Sequence, residues 1–260
     1  MSKGNMSGAH VMAQALKRHG VEVIFGQSIP AALFLAAPHY GIRQIGYRTE
    51  NAGAVMADAY ARISHKVAVV TAQNGPAATL LVPGLAEAYK ASIPIVAIVQ
   101  DVARPFADKN AFQELDHLDL FKGVAKWIKR VADVNRIDDY IDMAFTAAAS
   151  GRPGPAVLIA PIDMFVETAE SRNDSRMASL GSFPLDRSGP DPDRVAAAAK
   201  LLASAERPLI IAGGGVHVSD AAGELAALQE RFSIPVATTV MGKGAVDEGH
   251  PLSVGIVGYF

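Results

Sequence analysis

The reading turns on the stretch Tyr47-Arg48-Thr49-Glu50-Asn51-Ala52-Gly53-Ala54-Val55-Met56-Ala57-Asp58-Ala59-Tyr60-Ala61-Arg62. A loop ends on an acid, and a helix of mostly small residues follows. An acid at a helix start is stabilised by unpaired N–H groups and the positive end of the helix dipole. The small residues behind it let another backbone approach closely. Before this stretch, Ile42 to Gly46 reads as a strand, and after it Lys66-Val67-Ala68-Val69-Val70-Thr71 reads as a buried one. Strand, long helix, strand is the signature of a parallel crossover.

The alternation continues in both directions. Ser7 to His19 carries apolar residues at helical spacing and stops at Gly20. Val21 to Phe25 is a strand, Pro30 to His39 a helix, Pro76 to Ala91 a helix with Pro in a permitted first-turn position, and Pro94 to Gln100 a strand. Val124 to Val131, Ile137 to Ala149 and Pro155 to Ile159 extend the pattern. The expected fold is α/β, a mostly parallel sheet with helices on both faces. Ligands in such sheets sit beyond the C-terminal strand ends. That directs attention to Gly26–Pro30, Tyr47–Glu50, Ala72–Pro76 and Gln100–Gln113.

Residues 1–165 make one domain in this reading, and 166–188, rich in Ser, Asp, Arg, Gly and Pro, make a linker. Residues 189–260 begin a second α/β domain, with a helix over Asp193–Ser204, a strand over Pro208–Ala212, a turn at Gly213-Gly214-Gly215, a helix over Ala221–Phe232 and a strand over Pro235–Thr238. A sheet ending there would keep an exposed edge. The chain is therefore expected to be the first part of a longer polypeptide.

Composition narrows the classes. Among 260 residues, 24 Lys and Arg face 26 Asp and Glu, with no basic tract, so nucleic acid is not an expected partner. The absence of cysteine excludes disulfides and thiolate metal sites. Apolar runs such as Ile93 to Val99 have strand length, and the N-terminus lacks the apolar core of a secretion signal. Neither membrane insertion nor secretion is expected, and a cytoplasmic location is. The seven histidines show no metal-ligand spacing and read as surface residues or satisfied partners.

Three further segments stand out. Asn74-Gly75-Pro76-Ala77-Ala78-Thr79 follows a strand and opens a helix, where free N–H groups gather. Asn110-Ala111-Phe112-Gln113-Glu114 closes a long polar loop. Gly26-Gln27-Ser28-Ile29-Pro30 follows the first strand and lacks the G-x-G-x-x-G pattern of a dinucleotide fingerprint. Taken alone, Glu50 is a helix-start acid without chemistry and the Gly75 turn an ordinary strand-to-helix connection. Their combination resembles the pyrimidine-binding domain of thiamine-diphosphate enzymes, and most of all the acetolactate synthase group.

The resemblance implies specific roles. Glu50 would hydrogen-bond N1′ of the cofactor's aminopyrimidine, favouring the imino tautomer whose 4′ nitrogen takes the C2 proton. Such a group should be largely buried, since burial helps a carboxyl hold a proton. Asn74, Gly75 and Pro76 would form the wall beside the cofactor. Gln113 would hydrogen-bond a substrate carbonyl or carboxylate as a second catalytic residue, and Phe112, Gln27 and Ser28 would face the substrate. Lys109 is a further cation near that loop. The reaction implied is addition of the cofactor's C2 to a 2-oxo acid such as pyruvate. Loss of CO₂ and attack on a second carbonyl, or protonation, would follow. That is transferase or lyase chemistry in a homodimer or homotetramer joined through this domain.

The chain departs from the family at several points. Ala77 and Leu80 replace the second Gly and the Asn of a G-P-G-x-x-N pattern, Thr49 stands where many relatives carry His, and Gln27 and Ser28 alter the first loop. The Gly-Asp-Gly segment that holds diphosphate and Mg²⁺ in the family is missing, so those ligands, and catalysis itself, are expected to need a domain this chain lacks. No metal ligands are assigned. Arg207–Gly215 and Thr239–Ala245 resemble the central domain, which carries FAD in some members, ADP in others and nothing in the rest, so FAD stays open. An aldehyde lyase, an oxalyl-CoA-type decarboxylase or an oxidase stays open within the family. Outside it, the alternative is a non-catalytic nucleotide-binding α/β module.

Overall fold

The computed structural model describes residues 5–170 and 182–258. The chain divides into two compact units, Met1–Asp186 and Arg187–Phe260.

The first unit contains β1 (Asn5–Ser7), α1 (Gly8–Arg18), β2 (Val23–Phe25), α2 (Ala31–Ala36), β3 (Arg43–Ile45), α3 (Glu50–Ser64), β4 (Ala68–Ala72), α4 (Pro76–Ala91) and β5 (Ile95–Asp101). It continues with α5 (His117–Leu120), β6 (Trp127–Arg130), α6 (Ile137–Ala149), β7 (Ala156–Pro161), α7 (Ile162–Val166) and β8 (Thr168–Glu170). Six strands form one sheet in the order β3-β2-β4-β5-β7-β6, every neighbouring pair parallel. Every residue of β4, β5 and β7 is buried. That is why their sequences are continuous apolar runs rather than alternating ones. One face of the sheet is covered by α1, α2 and α6, whose Leu16, Leu33, Ile141 and Phe145 join a core with Ile24, Val96 and Leu158. The other is covered by α3 and α4, whose Ala57, Ala61, Leu81 and Leu85 pack with Val70, Ile95 and Val99.

The alanine content of α3 now has a physical use. Gly53, Ala54, Ala57 and Ala61 form its buried face. A Cβ on Gly53 would fall 2.2 Å from the Tyr47 ring, so only glycine fits there. Asp58 on α3 and Arg62 form an i,i+4 ion pair that Glu87 of α4 extends.

Several elements differ from the sequence reading. The helix expected from Ser7 starts at Gly8, because Ser7 belongs to β1, which pairs antiparallel with β8. The helix expected over Pro30–His39 splits into α2 and a 3₁₀ turn over Ala37–Tyr40. The one-turn α5 has too few residues to show a period. Of the segment read as a linker, residues 171–181 lie outside the described residues. The described residues of that segment up to Asp186 belong to the first unit: β8 joins β1, Lys66 bridges to Ser182, Phe183 enters the core, and Leu185 N–H donates to Ala149 O.

The second unit holds α8 (Pro192–Ala203), β9 (Ile210–Ala212), α9 (Gly215–Val218), α10 (Ala222–Phe232), β10 (Val236–Thr238) and β11 (Ser253–Ile256). Its sheet has the order β11-β10-β9, parallel throughout. Asp191 caps α8 by accepting from Asp193 and Arg194 N–H. No residue of α8 is buried.

Candidate active site at the C-terminal edge of the sheet

The four segments singled out from the sequence follow β2, β3, β4 and β5, which are consecutive neighbours in the sheet. Because all four strands are parallel, the loops gather along one edge.

Glu50 is the first residue of α3, after Thr49 in extended backbone. Thr49 Oγ1 donates to Asn51 Oδ1 at 2.5 Å, and the Glu50 carboxylate takes no hydrogen bond among the described residues. It opens into a cleft of about 390 Å³ that it shares with Gln27, Ser28, Ile29, Tyr47 and Gln73. Glu50 is half-buried, less enclosed than the sequence reading expected, because the cleft is open on one side. A flat heteroaromatic ring with polar edges fits such a space, with a carboxylate on one side and amides and a hydroxyl around it.

Tyr47 shapes this cleft, and the motif reading did not single it out. Its hydroxyl donates to Thr71 O at 2.6 Å. Burial pushes the phenol well above its ordinary pKa, and the nearby Glu50 carboxylate raises it further. Tyr47 is therefore a fixed neutral group linking the end of β4 and the start of α3. The Gln27 side chain donates to Arg48 O at 3.2 Å. Ser28 sits at φ 79°, an unusual conformation for a residue with a side chain. Gln73 lines the same cleft as Glu50.

Beside it, the backbone forms a wall. Gly75 caps α4 at φ 63° and ψ −125°, a conformation open in practice to glycine alone, and Pro76 opens the helix. A Cβ on Gly75 would lie 2.5 Å from Gln113 O. Asn74 does not face the cleft, since its buried side-chain amide donates to Phe112 O at 2.8 Å and Gln113 O at 3.0 Å. The structure thus brings Asn74, Gly75, Phe112 and Gln113 together. The adjacent Gln73 joins that group to the Glu50 cleft. Phe112 is 78% exposed, and the Gln113 side chain takes no hydrogen bond among the described residues. Lys109 donates to Pro105 O, within its own loop.

Behind the wall lies a polar chain with no counterpart in the motifs. Gly75 N–H donates to His117 Nε2 at 2.9 Å. His117 Nδ1 lies 3.1 Å from Asp101 Oδ1, and Asp101 Oδ2 lies 2.9 Å from Arg130 Nη2. Burial alone would raise the Asp101 pKa, but His117, the Val102 N–H and Arg130 together hold it below the usual value. The hollow next to it, about 450 Å³, is lined by charged groups, among them Arg104, paired with Asp163 and Glu167, and Arg130, paired with Asp101. Among the described residues no group of three or more His, Asp or Glu side chains is placed to hold a metal ion. Nor, among the described residues, is any helix long and apolar enough to cross a membrane.

The sequence profile of the family described as "Thiamine pyrophosphate enzyme, N-terminal TPP binding domain" matches residues 6–120, and that of "Thiamine pyrophosphate enzyme, central domain" matches residues 195–260. The chain is 40% identical over 260 residues to a probable acetolactate synthase large subunit of Methanococcus aeolicus, covering 97% of this chain and 43% of that protein. It is 38% identical to an acetolactate synthase of Arthrospira platensis, covering 97% and 45%. It is 40% identical to an acetolactate synthase large subunit of Parasynechococcus marenigrum, covering 97% and 42%. The chain thus spans less than half the length of these relatives.

Proposed function

The chain belongs to the thiamine pyrophosphate enzyme family, and from that premise we propose that it supplies the pyrimidine-activating half of an acetolactate-synthase-type site acting on 2-oxo acids. One observation carries the reading: a carboxylate at a helix N-terminus, free of hydrogen bonds among the described residues, faces a cleft walled by Gln27, Ser28, Tyr47 and Gln73. When bound, thiamine diphosphate supplies the carbon nucleophile that adds to the substrate carbonyl. Glu50 holds the proton shared with N1′ of the aminopyrimidine, on a helix whose packing against α4 fixes its position. Gly75 and Pro76 give the cofactor a backbone wall. Gln113, its amide free, orients a substrate carbonyl or carboxylate, and Phe112, Gln27 and Ser28 border the substrate.

The rival reading, a nucleotide-binding module, is weakened by the loop after β2. It carries the single glycine Gly26 rather than the G-x-G-x-x-G run of a dinucleotide fingerprint. Mg²⁺ wants an octahedral set of oxygen ligands. The described residues hold no acidic cluster for it, so we assign Mg²⁺ and the diphosphate to a separate domain. On this reading the chain by itself is inactive. FAD gains no support from the glycine run at Gly213–Gly215, which opens only the four-residue α9. The partner is a second copy, met through the outward faces of α3 and α4, where Val55, Ile63 and Leu80 are exposed.

The test is proton exchange at C2 of bound thiamine diphosphate in the assembled enzyme. Glu50→Gln should slow it by about 10²–10⁴-fold. Exchange near the wild-type rate would leave Glu50 as a helix-start acid and remove the proposal.

A further inference from the structure

His117 is fully buried, 42 residues from Gly75 in sequence, and has no place in the chemistry described above. Its surroundings fix its tautomer. The Gly75 N–H can only donate, so His117 Nε2 must be bare to accept it at 2.9 Å. The ring proton is then on Nδ1, which lies 3.1 Å from Asp101 Oδ1, close enough to pair although the two are not aligned as a hydrogen bond. Asp101 Oδ1 also accepts the Val102 N–H at 2.9 Å, and its other oxygen, Oδ2, is held by Arg130 at 2.9 Å. The series Arg130, Asp101, His117, Gly75 runs from β6, across the end of β7, to the ends of β5 and β4. It stops on the one backbone N–H whose residue has the glycine-only conformation of the wall.

We propose that His117 is a positioning residue for the cofactor wall, with Asp101 and Arg130 fixing its neutral Nδ1–H tautomer so that Nε2 holds the Gly75 backbone in place. The proposal rests on the reading of Gly75-Pro76 as that wall. A hydrogen-bonded acceptor at Gly75 holds the turn against drift, much as an outer-shell partner orients a metal ligand. The wall contacts cofactor in ground state and transition state alike. Loosening it should raise the cofactor KM and leave kcat at saturation almost unchanged.

Two measurements test this. In the chain itself, ¹⁵N NMR should find His117 protonated at Nδ1 and bare at Nε2, with the Gly75 amide protected from exchange. A protonated Nε2 or a fast Gly75 amide overturns the proposal, whatever the cofactor proves to be. In the assembled enzyme, His117→Leu should raise the thiamine diphosphate KM about tenfold, the effect of one lost buried hydrogen bond. His117→Gln, whose amide oxygen can accept in place of Nε2, should restore it to within about threefold. Equal behaviour of Leu and Gln, or a Leu variant that loses stability and kcat with KM unmoved, reduces His117 to a core residue. If Glu50→Gln leaves C2 exchange intact, the cofactor reading fails, while the tautomer and the Gly75 amide remain a separate result.

Discussion

The two sides of the candidate site use their polar groups in opposite ways. On the β2–β3 side, Glu50 and Ser28 face an open cleft and keep their polar atoms free of hydrogen bonds among the described residues. On the β4–β5 side, Asn74, Gly75, Asp101 and His117 are buried, and most of their polar groups have partners: Asn74 donates to the Phe112 and Gln113 carbonyls, the Gly75 N–H donates to His117, and Asp101 accepts the Val102 N–H and pairs with Arg130. The difference separates two requirements. A group that handles a proton must be left free, on a support that does not move. A wall that fixes position must have its polar groups taken up internally, because an unpaired buried group costs stability. The supports match these tasks: Glu50 stands on the 15-residue α3, whereas the wall is a turn whose shape depends on long-range partners.

The largest effect should come from crossing that division. Glu50→Gln removes the group proposed to handle the proton, and C2 exchange should slow by about 10²–10⁴-fold. It should leave the unfolding free energy from urea titration within about 0.5 kcal/mol of wild type, because the carboxylate has no hydrogen-bond partner to lose among the described residues. Gly75→Ala should do the reverse. Its Cβ meets Gln113 O at 2.5 Å and its backbone is strained for any side chain. A stability loss of about 2–3 kcal/mol is expected in the same urea experiment. If Gly75→Ala were neutral, the wall would not be held as described and the comparison would break.

Asp101 sharpens the contrast through pH. Its folded pKa lies below the ordinary 3.8. The stability it contributes is therefore fully present above the unfolded value and is lost as pH falls through the folded one. Asp101→Asn should cost about 1–3 kcal/mol at neutral pH by weakening the hold on His117 and Arg130. The gap between variant and wild type should narrow below about pH 4. A constant gap across the acid range would mean that the Asp101 charge does not matter to the fold.

How much of this was legible in the sequence follows from range. Glu50, the Gly75-Pro76 turn and the parallel sheet were readable because helix starts, strand-to-helix turns and buried apolar runs are local patterns. The cleft around Glu50 contains Tyr47, three residues upstream, yet nothing in the local pattern says that a tyrosine will donate to Thr71 across the sheet edge. Asn74 was expected beside the cofactor. Its amide faces away because Phe112 and Gln113, 38 and 39 residues later, present carbonyls to it. His117 and Asp101 were invisible for the same reason, as their meeting depends on the loop after β5 folding back over β4. The β1–β8 pair was missed because three-residue strands carry no periodicity.

Tyr47 gives the smallest expected effect and the finest test of the division, since it lies on the open side but is bonded like the wall. Tyr47→Phe deletes a hydroxyl that donates to Thr71 O at 2.6 Å. The buried Thr71 carbonyl loses its contact, so stability should fall by about 1–2 kcal/mol, read as a drop of about 2–4 °C in Tm per kcal/mol. Burial and the neighbouring Glu50 carboxylate keep the phenol protonated at neutral pH. It is therefore no proton acceptor, and removing it should not disable proton transfer. C2 exchange should slow less than about tenfold, well short of the Glu50→Gln loss. If Tyr47→Phe instead slowed exchange as severely as Glu50→Gln, with stability unchanged, the phenol would have to belong to the proton-handling machinery. The separation between a free reactive side and a self-bonded structural side would then no longer describe this site.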